Sequence, residues 1–319
     1  MWIGVLCGLL AGAVWGMVFV VPALLPAFTP VELALGRYTA YGLIAVCLMA
    51  PRLGKLFGRL ERSDYAALLR HALAGNIVYY VLLALGVKLA GVAATSLIIG
   101  ILPIAVTLLG RKDHGALPLR RLALPLLVAG AGIACINVDV LMHARSVNAD
   151  MGRTLIGLLC ATGALFCWSW YTLDNARYLK RTPHFSSAEW SALYGISSGL
   201  IAVAVGAVCL AIWQPDITGA AGAASGRDWN VFWITNALLA LGASVIGNHL
   251  WNIASRRTPV TLSGQLLLFE TLFALLYGFM YAAHFPRPLE VAAIVSLTTG
   301  VLWSVRVHAL DDSLVQHNS

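Results

Sequence analysis

Apolar runs of about twenty residues follow one another along nearly the whole chain, and this constrains the fold more than any motif does. An α-helix rises 1.5 Å per residue, so about twenty apolar residues cross about 30 Å of hydrocarbon. Ten such runs lie near 2–22, 31–50, 72–89, 92–109, 121–138, 154–174, 188–212, 230–251, 260–283 and 288–306. Of 319 residues, 60% are hydrophobic and 11% charged, against about a quarter charged in an ordinary soluble domain. The expectation is an all-α integral membrane protein of ten transmembrane helices, with no separate soluble domain. The longest interruption, "QPDITGAAGAASGRD" (214–228), reads as a flexible loop without a core. The first run lacks a basic n-region and is too long for a signal-peptide h-region, so it reads as the first spanning helix. All six cysteines fall inside apolar runs, where a thiol acts as a small hydrophobe, and no disulfide framework or metal spacing is legible.

Charge sets the expected orientation. With the amino terminus cytoplasmic, fifteen of the 21 Lys and Arg residues fall in inner loops and the tail, five fall outside, and Arg37 lies within a run. The positive-inside rule then places both termini in the cytoplasm. The net charge of +7 follows from this topology and from anionic lipid, so no nucleic-acid partner is needed to explain it.

The chain also repeats itself. Glu32 followed by "GLIAV" (42–46) recurs as Glu189 followed by "GLIAV" (199–203), an offset of 157. "TSLIIGILPIAVTLLG" (95–110) aligns with "SGQLLLFETLFALLYG" (263–278) at an offset of 168, and "AGAVWG" (11–16) with "ALFCWS" (164–169), pairing Trp15 with Trp168. Residues 1–150 and 151–319 therefore read as two five-helix repeats. Five is odd, so the second copy would be inverted, as in many secondary transporters with a substrate site between the halves.

These features resemble the drug/metabolite transporter superfamily in its EamA-type branch. The likeness rests on Trp15-Gly16, on "ELALGRYTAYGL" opening the second helix with Arg37-Tyr38, on "ILPIAV" (101–106) and on "LFETLFALLYG" (268–278). Within it, Tyr79-Tyr80, Trp168 and Trp251-Asn252 are most similar to the YddG-type aromatic amino-acid exporters. The chain departs from the family pattern at Thr271, where a proline is frequent, and at "RKD" (111–113), where an acid is frequent.

Glu270 is the candidate that chemistry singles out. An unpaired charge halfway along a spanning helix costs several kcal/mol, so it must face protein or water. It reads as a cavity carboxylate for an amino group or a proton, weighed against a bond between helices. Gln265, about 140° around the same helix, is weighed against the role of interhelical glue. Trp15 and Trp168 lie inside their runs rather than at the interface. With Tyr79, Tyr80, Trp170 and Tyr171 they would wall a pocket for an aromatic or cationic solute, unless they are core or lipid-facing. Asn248, Trp251 and Asn252 cluster in the eighth run, with the two asparagines on one face, as Asn76 and Tyr80 are in the third. Arg37 reads as a snorkelled or ion-paired cation or as a gate near the outer mouth, with Glu32 five residues away. Gly4, Gly8, Gly12 and Gly16 mark close helix packing. "GISSG" (195–199) fits a nucleophile elbow and His249 lies in the next run, but a hydrolase motif needs a strained strand-to-helix turn, not an apolar helix. The implied function is an inner-membrane secondary transporter, not an enzyme. It would export aromatic and other apolar amino acids by alternating access, the alternative being a drug, organic-cation or other metabolite exporter. No cofactor is expected, and the partners are a small-molecule substrate and membrane lipid.

Overall fold

A computed structural model describes residues 1–112, 117–144, 151–182, 184–213, 227–283 and 285–317, and every regular element among them is helical. In hydrocarbon each backbone N–H and C=O must be satisfied within the segment, so runs this apolar fold as helices. Eight segments are long and apolar enough to cross a membrane: α1 (Trp2–Leu24), α2 (Pro30–Phe57), α3 (Arg62–Ala90), and then Gly152–Arg181, Ser187–Ala211, Trp229–Arg257, Leu262–Tyr281 and Pro288–His308. Between α3 and the next of these come α4 (Val92–Ile99), α5 (Leu102–Leu109) and α6 (Leu119–Ala144). The remaining helices are α7 (Met151–Arg181), α8 (Ser187–Trp213), α9 (Trp229–Arg257), α10 (Val260–Leu266), α11 (Leu268–Ala282) and α12 (Pro288–His317). The loop expected at 214–228 lies outside the described residues except for its last two.

Several boundaries follow from caps. Thr29 Oγ1 accepts from the Glu32 N–H while the Glu32 carboxylate accepts from the Thr29 N–H, closing a capping box at the start of α2. Ser186 and Glu189 do the same for α8, and Asp228 caps α9 through the N–H groups of Asn230 and Val231. A box of Glu61 with Asp64 starts α3 ten residues before the apolar run near 72, because apolarity marks the hydrocarbon and not the helix. Gly91, at φ +91°, turns the chain from α3 into α4, a backbone region open chiefly to glycine.

Two expected continuous helices are broken. The run 92–109 divides at Gly100–Ile101 ahead of Pro103, and the run 260–283 divides at Leu267. Two others carry π-helical segments, Ala72–Val78 in α3 and Ala240–Gly247 in α9, whose starts are 168 residues apart. Such bulges concentrate at functional sites.

Small residues fix the packing. Gly42 and Gly199 meet where α2 and α8 cross, each so near that an added Cβ would stand 2.8 Å or less from the other's Cα. Tyr41 lies against Gly195 and donates to Ser191, while Ala45 packs with Ala192, so the two helices run antiparallel. Glu32 and Glu189, each ten residues before its crossing glycine, therefore sit at opposite ends of the pair. Helix α1 meets the end of α9 through Gly4 and lies along α10 and α11 through Gly8, Gly12 and Gly16; a Cβ at Gly12 would come within 2.8 Å of the Glu270 backbone nitrogen. Helix α7 runs antiparallel to α3, with Gly157 against Ala90 at one end and Asp174 against Arg70 at the other. Large apolar side chains cover the outside, among them Phe166, Leu200 and Met280, each two thirds or more exposed.

Candidate functional site

Two buried ionisable groups, Arg37 and Glu270, border a common void between the helices. Trp15 and Val18 of α1, Arg37 and Tyr38 of α2, Gly75, Asn76 and Tyr79 of α3, Trp168 of α7, Asn248 of α9 and Glu270 of α11 line one small void. Its volume is about 10 Å³, room for about a single water. A solute the size of an amino acid enters only after the surrounding helices move apart. Arg37 and Glu270 are 5% and 3% exposed, deeper than any surface-reaching cation would lie.

Local structure explains how each group is held. Glu270 is in the first turn of α11, directly after the break at Leu267, where a helix start favours a carboxylate. Its side chain makes no hydrogen bond and no ion pair among the described residues. The Arg37 Nε donates to Ser244 Oγ at 3.1 Å, and Ser244 belongs to the π-helical segment of α9. The guanidinium lies 4.9 Å from the Tyr80 ring centre and 5.1 Å from that of Tyr38, and its Nη1 is buried without a partner. Asn76 donates to Ser198 Oγ at 2.7 Å, and Asn248 to the Tyr41 hydroxyl at 3.3 Å.

An aromatic wall completes the site. Trp168 stacks on Tyr79 at 4.7 Å and on Tyr171 at 5.0 Å, and Trp15 meets its edge at 5.3 Å. The Trp15 Nε1 donates to the Ala243 carbonyl at 2.8 Å, whereas the Trp168 Nε1 is buried with no partner. Trp15 is thus anchored, whereas Trp168 retains an unused donor.

Several expected site residues lie elsewhere. Gln265 donates through Nε2 to Thr107 Oγ1 at 2.7 Å, joining α10 to α5; the break at Leu267 separates it from Glu270, so it is a tie between helices. Asn252 bonds Asn175 and the Ser187 carbonyl nearer the Glu189 end, since one further turn from Asn248 carries it away from the void. Trp251 backs Trp15 at 5.3 Å, and Tyr80 lies under Arg37, so both support lining residues without lining the void themselves. Trp170 is 42% exposed on the outer surface. Arg37 is not at an outer mouth, and Glu32 pairs with Arg227 rather than with it.

Sequence reasoning missed a polar cluster between the void and the Glu189 end. His71, fully buried, meets Asp174 at 2.8 Å, and Asp174 also holds Arg70 at 2.8 Å. Tyr178 donates to the buried Asp64, whose other oxygen lies 3.5 Å from His184. The aromatic rings of Trp170, Tyr171, Tyr178 and Trp190 surround His71. The interrupted periodicity of 62–71, polar on the way into an apolar run, was the available signal. At the ends themselves, Arg59 pairs with Glu189 at 2.7 Å and Arg227 with Glu32 at 3.0 Å.

A larger cavity of about 670 Å³ opens between α2, α8 and α9 below the Glu32–Arg227 pair, lined largely by Leu35, Val203, Leu210, Phe232 and Trp233. Its carboxylate and guanidinium, Glu32 and Arg227, pair with each other, and its position on the apolar flank suits lipid chains. The central void, though far smaller, is where buried charge and aromatic surface coincide.

No family model matches the chain. A solved structure titled "Crystal structure of protein" superposes with a TM-score of 0.70 over 96% of this chain and 98% of that one; at 19% identity this shows a shared fold. The inner membrane protein YtfF of Escherichia coli (strain K12) is 34% identical over 311 residues, covering 95% of each chain. Apolar helices of spanning length and this relationship together identify a multi-pass protein of the inner membrane, and the chain belongs to the family of YtfF.

Proposed function

We propose that the protein is a secondary transporter that exports small organic solutes, foremost aromatic and other apolar amino acids, by alternating access. The observation that carries this reading is the central void, where Trp168, Tyr79 and Trp15 face Glu270 and Arg37. An aromatic wall with a few buried polar groups is the composition of a small-molecule site, and intramembrane ionisable groups mark solute pathways. The void is closed in this conformation, as an intermediate between inward and outward opening requires. The proposed frame is ten crossings in two inverted repeats, 1–150 and 151–319, with both termini cytoplasmic and a resemblance to the EamA-type drug/metabolite transporters. The π-helical segments that start 168 residues apart, a helix break in each half at Gly100–Ile101 and at Leu267, and the antiparallel pairing of α2 with α8 support that frame. The Glu32–Arg227 and Glu189–Arg59 clusters then act as gates at the two membrane faces. An organic-cation exporter is the second reading, favoured by Glu270 against aromatic rings and disfavoured by Arg37 in the same void. The "GISSG" segment takes no catalytic part in this reading: it lies within α8, where Ser198 donates to the Tyr194 carbonyl.

The test is exchange of labelled tryptophan into liposomes that hold the purified protein and unlabelled tryptophan. The unmutated protein is expected to exchange, and Trp168→Ala and Glu270→Gln to lose most of that activity while staying monodisperse in detergent. No exchange by the intact protein overturns the amino-acid assignment.

A further inference from the structure

Two opposite charges in a membrane interior normally pair. Isolated they are costly, and in contact each offsets the desolvation of the other. Arg37 and Glu270 border the same void at 5% and 3% exposure, yet no ion pair joins them. Each is held by neighbouring helices instead. Arg37 is tethered through Nε to Ser244 and laid across the Tyr38 and Tyr80 rings, which leaves Nη1 without an acceptor. Glu270 is fixed at the start of α11, where α1 packs so closely that a Cβ at Gly12 would stand 2.8 Å from its backbone nitrogen. The site therefore presents a planar donor fork and a carboxylate acceptor on separate walls, with Trp168 and its unused indole N–H beside them.

From this geometry we infer that Arg37 and Glu270 together recognise an α-amino acid as a zwitterion, Arg37 taking the carboxylate and Glu270 the ammonium. The inference rests on the transport reading above and adds its specificity. A guanidinium matches a carboxylate bidentately, and its free Nη1 supplies a donor that the closed protein leaves unused. The loaded site holds two pairs of opposite charge and no net charge beyond that of the empty site. A bare amine would leave Arg37 unpaired and a bare acid would leave Glu270 unpaired, and unpaired buried charge is how polar sites reject analogues. The aromatic wall selects the side chain, and the charge pair selects the backbone common to all amino acids.

Competition against labelled tryptophan in the exchange assay tests this with three probes: tryptophan, tryptamine, which lacks the carboxylate, and indole-3-propionate, which lacks the amine. Tryptophan is expected to compete at least about tenfold better than either analogue, which corresponds to about 1.4 kcal/mol per missing partner. In the residual exchange of the single variants, Arg37→Gln should erase the preference for tryptophan over tryptamine, and Glu270→Gln the preference over indole-3-propionate. The double variant Arg37→Gln/Glu270→Gln separates recognition from mere charge balance. It buries no uncompensated charge and should remain monodisperse, and it is expected to stay inactive on tryptophan. Recovery of tryptophan exchange in the double variant, or equal competition by tryptophan and tryptamine in the unmutated protein, overturns the inference while leaving the transport reading intact. Failure of the unmutated protein to exchange any of a panel of tryptophan, phenylalanine and leucine overturns both.

Discussion

The two ends of the molecule are built from matching contacts but closed with different chemistry. At one end Glu32 pairs with Arg227, the Arg227 guanidinium lies 5.3 Å from the Phe28 ring centre, and Lys88 donates to the Phe28 carbonyl. At the other Glu189 pairs with Arg59, whose guanidinium lies 4.9 Å from the Phe185 ring centre, and Arg256 donates to the Phe185 carbonyl at 2.7 Å. Phe28 and Glu32 precede Phe185 and Glu189 by 157 residues, and Arg59 and Lys88 precede Arg227 and Arg256 by 168. One layer deeper the likeness stops. The Glu189 end has His71, Asp174, Asp64 and Tyr178 in a hydrogen-bonded cluster. At the same offsets the Glu32 end has Leu239, Met17, Phe232 and Val21, with Phe28 packed on Phe232 at 4.5 Å and on Trp229 at 5.1 Å. A shared backbone arrangement thus supports an apolar seal at one end and a polar one at the other. The apolar seal gains from area removed from water and is non-directional. The polar one is directional, and it is costly when half-satisfied.

Locking the ends is the strongest way to break the comparison. Cysteines placed at Arg59 and Glu189, or at Glu32 and Arg227, and joined by a short bis-methanethiosulfonate reagent should each abolish exchange, with recovery after reduction of the linker. Exchange that survives either cross-link shows that this end does not open during transport. The point midway between the ends comes next. Gly42→Leu drives a side chain into the Gly199 backbone, where even a Cβ would sit 2.8 Å from the Cα. Overpacking of this kind costs about 1–3 kcal/mol, and the variant should lower the thermal midpoint in detergent and slow exchange in both directions.

His71→Leu converts the polar layer towards its counterpart, Leu239. It removes the imidazole from Asp174, which keeps Arg70, and should cost about 1–3 kcal/mol for the disturbed buried network. Accessibility of a cysteine probe should rise at the Glu189 end and stay unchanged at the Glu32 end. Equal change at both ends would mean that the two seals are one cooperative unit. The smallest effects belong to the terminal pairs themselves. Glu189→Gln and Glu32→Gln each remove a partly exposed ion pair worth at most about 1 kcal/mol, so both should shift the midpoint slightly. The loss at Glu189 should be more sensitive to added salt, because its Arg59 partner is 43% exposed against 23% for Arg227.

Much of this was legible without coordinates. Run length and apolarity called for membrane helices, and eight segments carry enough of both to span. The Thr29–Glu32 and Ser186–Glu189 boxes could be read as helix starts, because capping is a local matter of three residues. Trp15, Trp168 and Glu270 could be picked out because a large amphipathic ring or a carboxylate deep inside an apolar run needs a reason to be there. Sequence matches at offsets of 157 and 168 were also readable, and the ion pairs at the two ends and the starts of the two π-helical segments are spaced by those offsets.

What the sequence by itself determined was the class of element and the residues too polar for lipid; which of them meet was decided only in the tertiary structure. A helix that is apolar on every side carries no periodic signal for its inward face, so the depth of Arg37 and the diversion of Gln265 to Thr107 were not written in their own segments. Arg37 is buried because Ser244, 207 residues away, sits in a bulge that turns towards it. Gln265 leaves the void because the chain breaks at Leu267 between it and Glu270. His71 meets Asp174 only because α3 and α7 run antiparallel. Polar groups in hydrocarbon must find partners, but the partner is whichever helix packing brings within hydrogen-bond reach, and that is a property of the assembled fold.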